Sequence, residues 1–158
     1  RDIFEMIIRN TNLSGLHDLI KTIREAANAK VLVGVPASKN SPHEGGINMA
    51  TLAATHEYGA PSRGIPERSF LRSAIIENQD KITDLVSKGV KSYLEQGKEI
   101  DLMFYDRIGL FASNLVKDKI AKGPFKPLAD ATVKRKGSSK PLVDTGALRQ
   151  SISWEVRE

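Results

Sequence analysis

The sequence predicts an α+β domain in which a small mixed or antiparallel sheet packs against a long antiparallel helical hairpin. Short β-branched runs near 3–8, 31–35 and 152–157 supply the strands. Two longer stretches, about 67–96 and 99–122, carry apolar residues at intervals of three and four and supply the helices. The connection between them is so short that they are expected to pack side by side in opposite directions. A chain of 158 residues holds one good core and divides poorly into two. One domain over 1–158 is therefore expected, with loops near 37–46 and a basic arm at 122–141.

Taken in order, the first strand is closed by the turn formers Asn10, Thr11 and Asn12. Ser14 then suits the cap of an amphipathic helix with Leu16, Leu19, Ile20 and Ile23 on one side and a stop at Asn28. The run from Val31 to Val35 is apolar enough for a buried strand, and Pro36 ends its pairing. Polar turn formers fill 37–46, a long loop expected to lack internal anchoring. Ala, Leu and Met favour a helix over 47–58, broken by Gly59, Ala60 and Pro61. Pro66 suits a first helical turn, where its missing N–H is no loss. On the hairpin's second arm the expected stripe is Ile100, Met103, Phe104, Ile108, Phe111, Leu115, Val116 and Ile120. The arm at 122–141 has few apolar anchors, Phe125, Leu128 and Val133, and one helical turn near 130–134. Asp144 or Thr145 can cap a short helix over 147–151, and alternation from Ile152 to Arg157 gives the last strand.

Composition narrows the function classes. Hydrophobic residues at 40% and charged residues at 27% match ordinary globular usage, which argues against wholesale disorder. The absence of cysteine excludes disulfides and thiolate metal sites and suits folding in a reducing cytoplasm. No apolar run approaches the roughly 20 residues that span a bilayer, so a soluble protein without membrane contact is expected. No methionine precedes Arg1, which leaves open whether residues precede it.

Chemical constellations are sparse. His43-Glu44 and His56-Glu57 lack the second histidine that a zinc-protease motif needs, and no bound metal or other cofactor is expected. No glycine pattern for cradling phosphate follows the 31–35 strand. Serines have no histidine-acid partners in view, so no catalytic set can be assembled and an enzyme is not expected. A net charge of +5 is compatible with an acidic partner. Lys126, Lys134, Arg135, Lys136 and Lys140 are the candidates for touching DNA or a protein partner, although no aromatics are interleaved to stack bases.

Two segments punctuated by Gly and Pro stand out as corners that fix how elements meet. The first runs from His56 through Glu57, Tyr58, Gly59, Ile65, Pro66, Arg68, Phe70 and Leu71 to Arg72. The second runs from Pro141 through Asp144, Thr145, Gly146, Leu148 and Arg149 to Ile152.

Together these segments resemble the signatures of bacteriophage neck and tail-completion proteins, the virion-morphogenesis families related to the Mu-type tail completion protein and the HK97-type head-tail joining protein. Members carry an acidic-aromatic-Gly stretch before Ile-Pro-x-Arg-x-Phe-Leu, matched by Glu57-Tyr58-Gly59 and by Ile65 to Leu71. They also carry Leu-x-Asp-Thr-Gly-x-Leu-Arg-x-Ser-Ile, matched from Leu142 to Ile152. In many relatives the second segment comes first, whereas here it ends the chain. The resemblance covers about 31–156 in outline and leaves the first thirty residues unexplained.

What the resemblance implies is a structural virion protein of the head-tail neck, made in the host bacterial cytoplasm. It would form a ring, of itself and commonly hexameric, that joins or terminates the tail at its head-proximal end. Its partners would be neighbouring neck, connector, stopper or tail tube proteins, with transient contact to genomic DNA. The alternative is a DNA-binding protein that uses 122–141 in packaging or DNA passage.

Overall fold

The computed structural model describes residues 13–42, 46–128, 132–134, 140–142 and 145–157. The strand expected near 3–8 lies outside the described residues. The order is α1 (Leu13–Asn28), β1 (Lys30–Gly34), a 3-10 turn (Ala37–Lys39), α2 (Met49–Tyr58) and a second 3-10 turn (Pro61–Arg63). Then come α3 (Leu71–Glu77), α4 (Gln79–Glu95), α5 (Leu102–Lys122), α6 (Ala147–Ser151) and β2 (Ser153–Arg157). The class is mixed α+β, with a two-stranded antiparallel sheet.

β1 and β2 pair from Lys30 opposite Arg157 to Gly34 opposite Ser153, which places Val33 beside Trp154 and Val31 beside Val156. By the two-residue alternation these four share one face. That face lies on α5, which packs against both strands. Gly109 makes the approach possible, because a Cβ there would collide with the Trp154 indole. The indole Nε1 also donates to Asp106 Oδ1 at 2.9 Å, so the ring's one polar atom is satisfied.

The core gathers Met49, Phe70, Ala74, Val116, Ile120, Leu142, Leu148 and Ile152. It joins α2, α3, α5, α6 and the chain just before α6. Phe70, Val116, Ile120 and Ile152 are almost wholly withdrawn from water, each contributing about 1.5 to 3 kcal/mol of burial.

Several sequence expectations shift. The helix expected over 67–96 is two helices. At Asn78 the backbone leaves helical geometry at φ −117°, ψ 18°, and its side-chain amide donates to the Ala74 carbonyl at 2.9 Å. A side chain that bonds the preceding turn competes with helix continuation. Pro66 does not open the helix, since 66–69 is not helical and α3 begins at Leu71. α1 begins at Leu13, ahead of the cap proposed at Ser14, and Ile20 and Ile23 of its expected stripe stand exposed. Met103 is exposed, while Gly109, Ala112 and Ser113 are buried on α5 instead.

The described part of the 37–46 loop is anchored, contrary to expectation. Asn40 Oδ1 accepts from Ala50 N at 2.9 Å, and the Ser41 carbonyl accepts from Met49 N at 3.1 Å. Asn48 caps α2 by accepting from Thr51 N at 2.8 Å. Asp101 caps α5 through Phe104 N at 3.0 Å and accepts from the Tyr93 hydroxyl of α4 at 2.7 Å. Phe104 meets the Tyr93 ring edge-on at 5.7 Å and fills the space above Gly89.

Candidate interaction site

The first signature segment folds into a knot between α2 and α3. Gly59 leaves α2 at φ 74°, and a Cβ there would lie 2.7 Å from Glu67 N, so only glycine fits. Ala60 and Ile65 then exchange backbone hydrogen bonds at 2.8 and 3.1 Å around the Pro61–Arg63 turn. This closes a small loop and returns the chain alongside α2, where Arg68 N donates to the His56 carbonyl at 2.8 Å. Ile65 and Pro66 are half-buried in that return.

α3 begins with Phe70 at its cap position, a side chain that can accept no hydrogen bond, so the orphan N–H groups of its first turn need a partner from elsewhere. Glu57 supplies it. Its carboxylate, 5% exposed, accepts from the backbone N–H groups of Phe70 (2.9 Å), Leu71 (2.8 Å) and Arg72 (3.1 Å). It also accepts from the Ser69 hydroxyl at 2.8 Å and from Arg72 Nε at 2.9 Å. Burial by itself pushes this carboxyl up. The bonds from Leu71, Ser69 and Arg72 outweigh it and hold the group below the ordinary carboxylate range. Arg72 reaches on to Glu67 at 2.7 Å and lies over the exposed Tyr58 ring at 4.7 Å.

Arg68 ties this knot to the basic segment. It is 5% exposed, and it donates from Nε to the Lys126 carbonyl at 3.0 Å and from Nη2 to the Pro127 carbonyl at 3.1 Å. With Phe125 packed against the core, the start of the segment expected to be a free arm is fixed. Residues 132–134 are helical.

The second signature segment enters the same core. Leu142 is buried at φ 61°, an unusual conformation for a branched side chain, and Gly146 turns at φ 80° into α6. Thr145 Oγ1 accepts from Ala147 N at 3.3 Å. Leu148 and Ile152 pack in one cluster with Phe70, and Leu71 lies against it, partly buried. Arg149 Nε donates to the Lys117 carbonyl at 3.4 Å. Asp144, Arg135 and Lys136 lie outside the described residues. Lys126, Lys134 and Lys140 are exposed.

The structure thus brings Glu57, Gly59, Arg68, Phe70 and Leu71 together with Leu148 and Ile152, and leaves Tyr58 at the surface. Reading the sequence did not find what Glu57 and Arg68 do. No local signal marked Glu57, because the helix was expected from about 67 and its uncapped entry at Phe70 shows only in the fold.

Among the described residues no group of histidines and acids could hold a metal ion, and no described helix is long and apolar enough to cross a membrane. Comparison of the chain with protein-family models, with curated proteins and with solved structures returns no match.

Proposed function

We propose that this chain is a structural subunit of a protein assembly, with its polar groups spent on holding corners in place rather than on chemistry. The assembly is the head-tail neck or tail-completion region of a bacteriophage virion. There the subunit forms a ring that joins or terminates the tail at its head-proximal end. The observation that carries this reading is the meeting of the two signature segments, far apart in sequence, in one core around Phe70, Leu148 and Ile152.

Two further features support it. α4 and α5, meeting through Tyr93, Phe104 and Gly89, serve as the antiparallel hairpin that stiffens the subunit. Met103, Leu110, Ile76 and Leu102 expose apolar surface to solvent, available for the head-to-tail contacts between copies that close a ring. Neighbouring connector, stopper or tube proteins are the other partners in this reading, and the virion is its location.

The test is sizing and negative-stain imaging of the purified protein: closed rings are expected, and a strict monomer at every concentration counts against the reading. In an infected cell, Phe70→Asp is expected to leave heads and tails unjoined, whereas normal infectious particles would argue against it. A second reading, DNA binding through 122–141, is favoured by the exposure of Lys126 and Lys134. Duplex binding that weakens with salt and disappears in Lys126→Gln/Lys134→Gln would support it.

A further inference from the structure

Where the second corner meets the C-terminal half of α5, three cations gather. Lys117 is half-buried on that helix. Arg149 of α6 is seated next to it by the bond from its Nε to the Lys117 carbonyl. Lys39, at the end of the first 3-10 turn, and Arg149 are both near enough to Lys117 to repel its proton. Together with burial, the larger cause, they push its ammonium below the ordinary lysine range.

None of the three has an ion-pair partner among the described residues. The next cations along α5 do, Lys119 with Glu77 at 2.6 Å and Lys122 with Asp118 at 3.4 Å. The positions are also fixed. Val116, beside Lys117, and Leu148, beside Arg149, are core residues, and Asn40, beside Lys39, is bonded to Ala50. Like charges held together, with no counterion among the described residues, favour the approach of an anion.

We propose that Lys39, Lys117 and Arg149 form a binding site for the phosphodiester backbone of duplex DNA, separate from the basic segment at 122–141. Charge complementarity favours DNA, because a phosphodiester backbone presents several anions in a row to cations that have no ion-pair partner among the described residues. Chemistry agrees. Arg149, with Nε committed to the Lys117 carbonyl, keeps its two terminal nitrogens for one phosphate, and each lysine is a point charge for another. Backbone contacts carry no sequence information, so binding is independent of sequence. The site goes beyond the neck reading and needs no ring.

Fluorescence anisotropy on a short labelled duplex, titrated across roughly 50 to 200 mM salt, tests the site. The unaltered protein is expected to bind, with log K falling linearly against log salt. Lys39→Gln/Lys117→Met/Arg149→Gln is expected to bind at least about tenfold more weakly at the low-salt end, with a slope shallower by roughly 2 to 3 units. Lys39→Gln/Arg149→Gln spares the half-buried lysine in case the triple variant misfolds, and should flatten the slope by roughly 1 to 2 units.

Lys81→Gln/Lys88→Gln/Lys91→Gln removes the same charge from α4 and should keep the parental slope. The proposal is overturned if the unaltered protein does not bind duplex. It is equally overturned if the altered cluster keeps parental affinity and slope, or if the α4 variant loses as much. Sedimentation velocity separates the remaining case: loss of self-association with DNA binding unchanged would assign the cations to a second copy and end the idea.

Discussion

A carboxylate withdrawn from water stays charged only when donors surround it, and Glu57 has donors from the backbone, a hydroxyl and a guanidinium. Glu57→Gln keeps the shape but turns one acceptor into a donor facing donors. A loss of about 2 to 3 kcal/mol is expected in urea unfolding. Because the folded carboxyl titrates below its ordinary value of 4.5, its contribution is present above that value. It is lost as pH falls through the lower folded value. The unaltered protein should therefore lose melting temperature in acid more steeply than Glu57→Gln, and identical acid limbs would refute the assignment. Arg68→Lys should cost about 1 to 3 kcal/mol, since one ammonium cannot reproduce the planar grip on two carbonyls. Free exchange of the two residues without a change in denaturation midpoint would show that the grip is idle. The sequence marked Glu57 and Arg68 as members of the first signature segment but not what they hold, because the donors to Glu57 stand 12 to 15 positions away and the acceptors of Arg68 58 and 59.

The periodic apolar patterns located most elements correctly and misjudged where helices start, stop and face. Asn78 gave no breaker signal of the Gly or Pro kind, so its break between α3 and α4 was hidden inside one long stripe. On α5 the buried face is built partly from Gly109, Ala112 and Ser113, residues too small to register as hydrophobic, while the apolar Met103 faces water. Gly109 tests this packing. Gly109→Ala raises helix propensity yet drives a methyl into the Trp154 ring, and a net destabilisation of about 1 to 3 kcal/mol is expected. Trp154 is the chain's one tryptophan, so its fluorescence reports the event directly as a shifted emission maximum. A more stable protein with unchanged emission would show that α5 and β2 are less closely packed than described.

Across the whole molecule, residues near 57–72 and 142–152 cooperate although long helices separate them, and their convergence was not predictable from spacing. Only the resemblance of the two segments linked them. If the chain forms the proposed ring, substitution of the exposed Met103 and Leu110 separates assembly from folding: Met103→Glu/Leu110→Glu should leave the melting temperature nearly unchanged and abolish rings on negative-stain grids. Intact rings from that variant would move the contact surface elsewhere. The chain between Pro127 and Leu142 is fastened at both feet, by Arg68 at one end and by the core at the other. A peptide epitope spliced between those two ends would cost at least the entropy of closing a longer chain, about 0.6 kcal/mol for each doubling of length. Such a graft would act as a flag of known attachment, and antibody decoration of the proposed assembly would then reveal which side of each subunit looks outward.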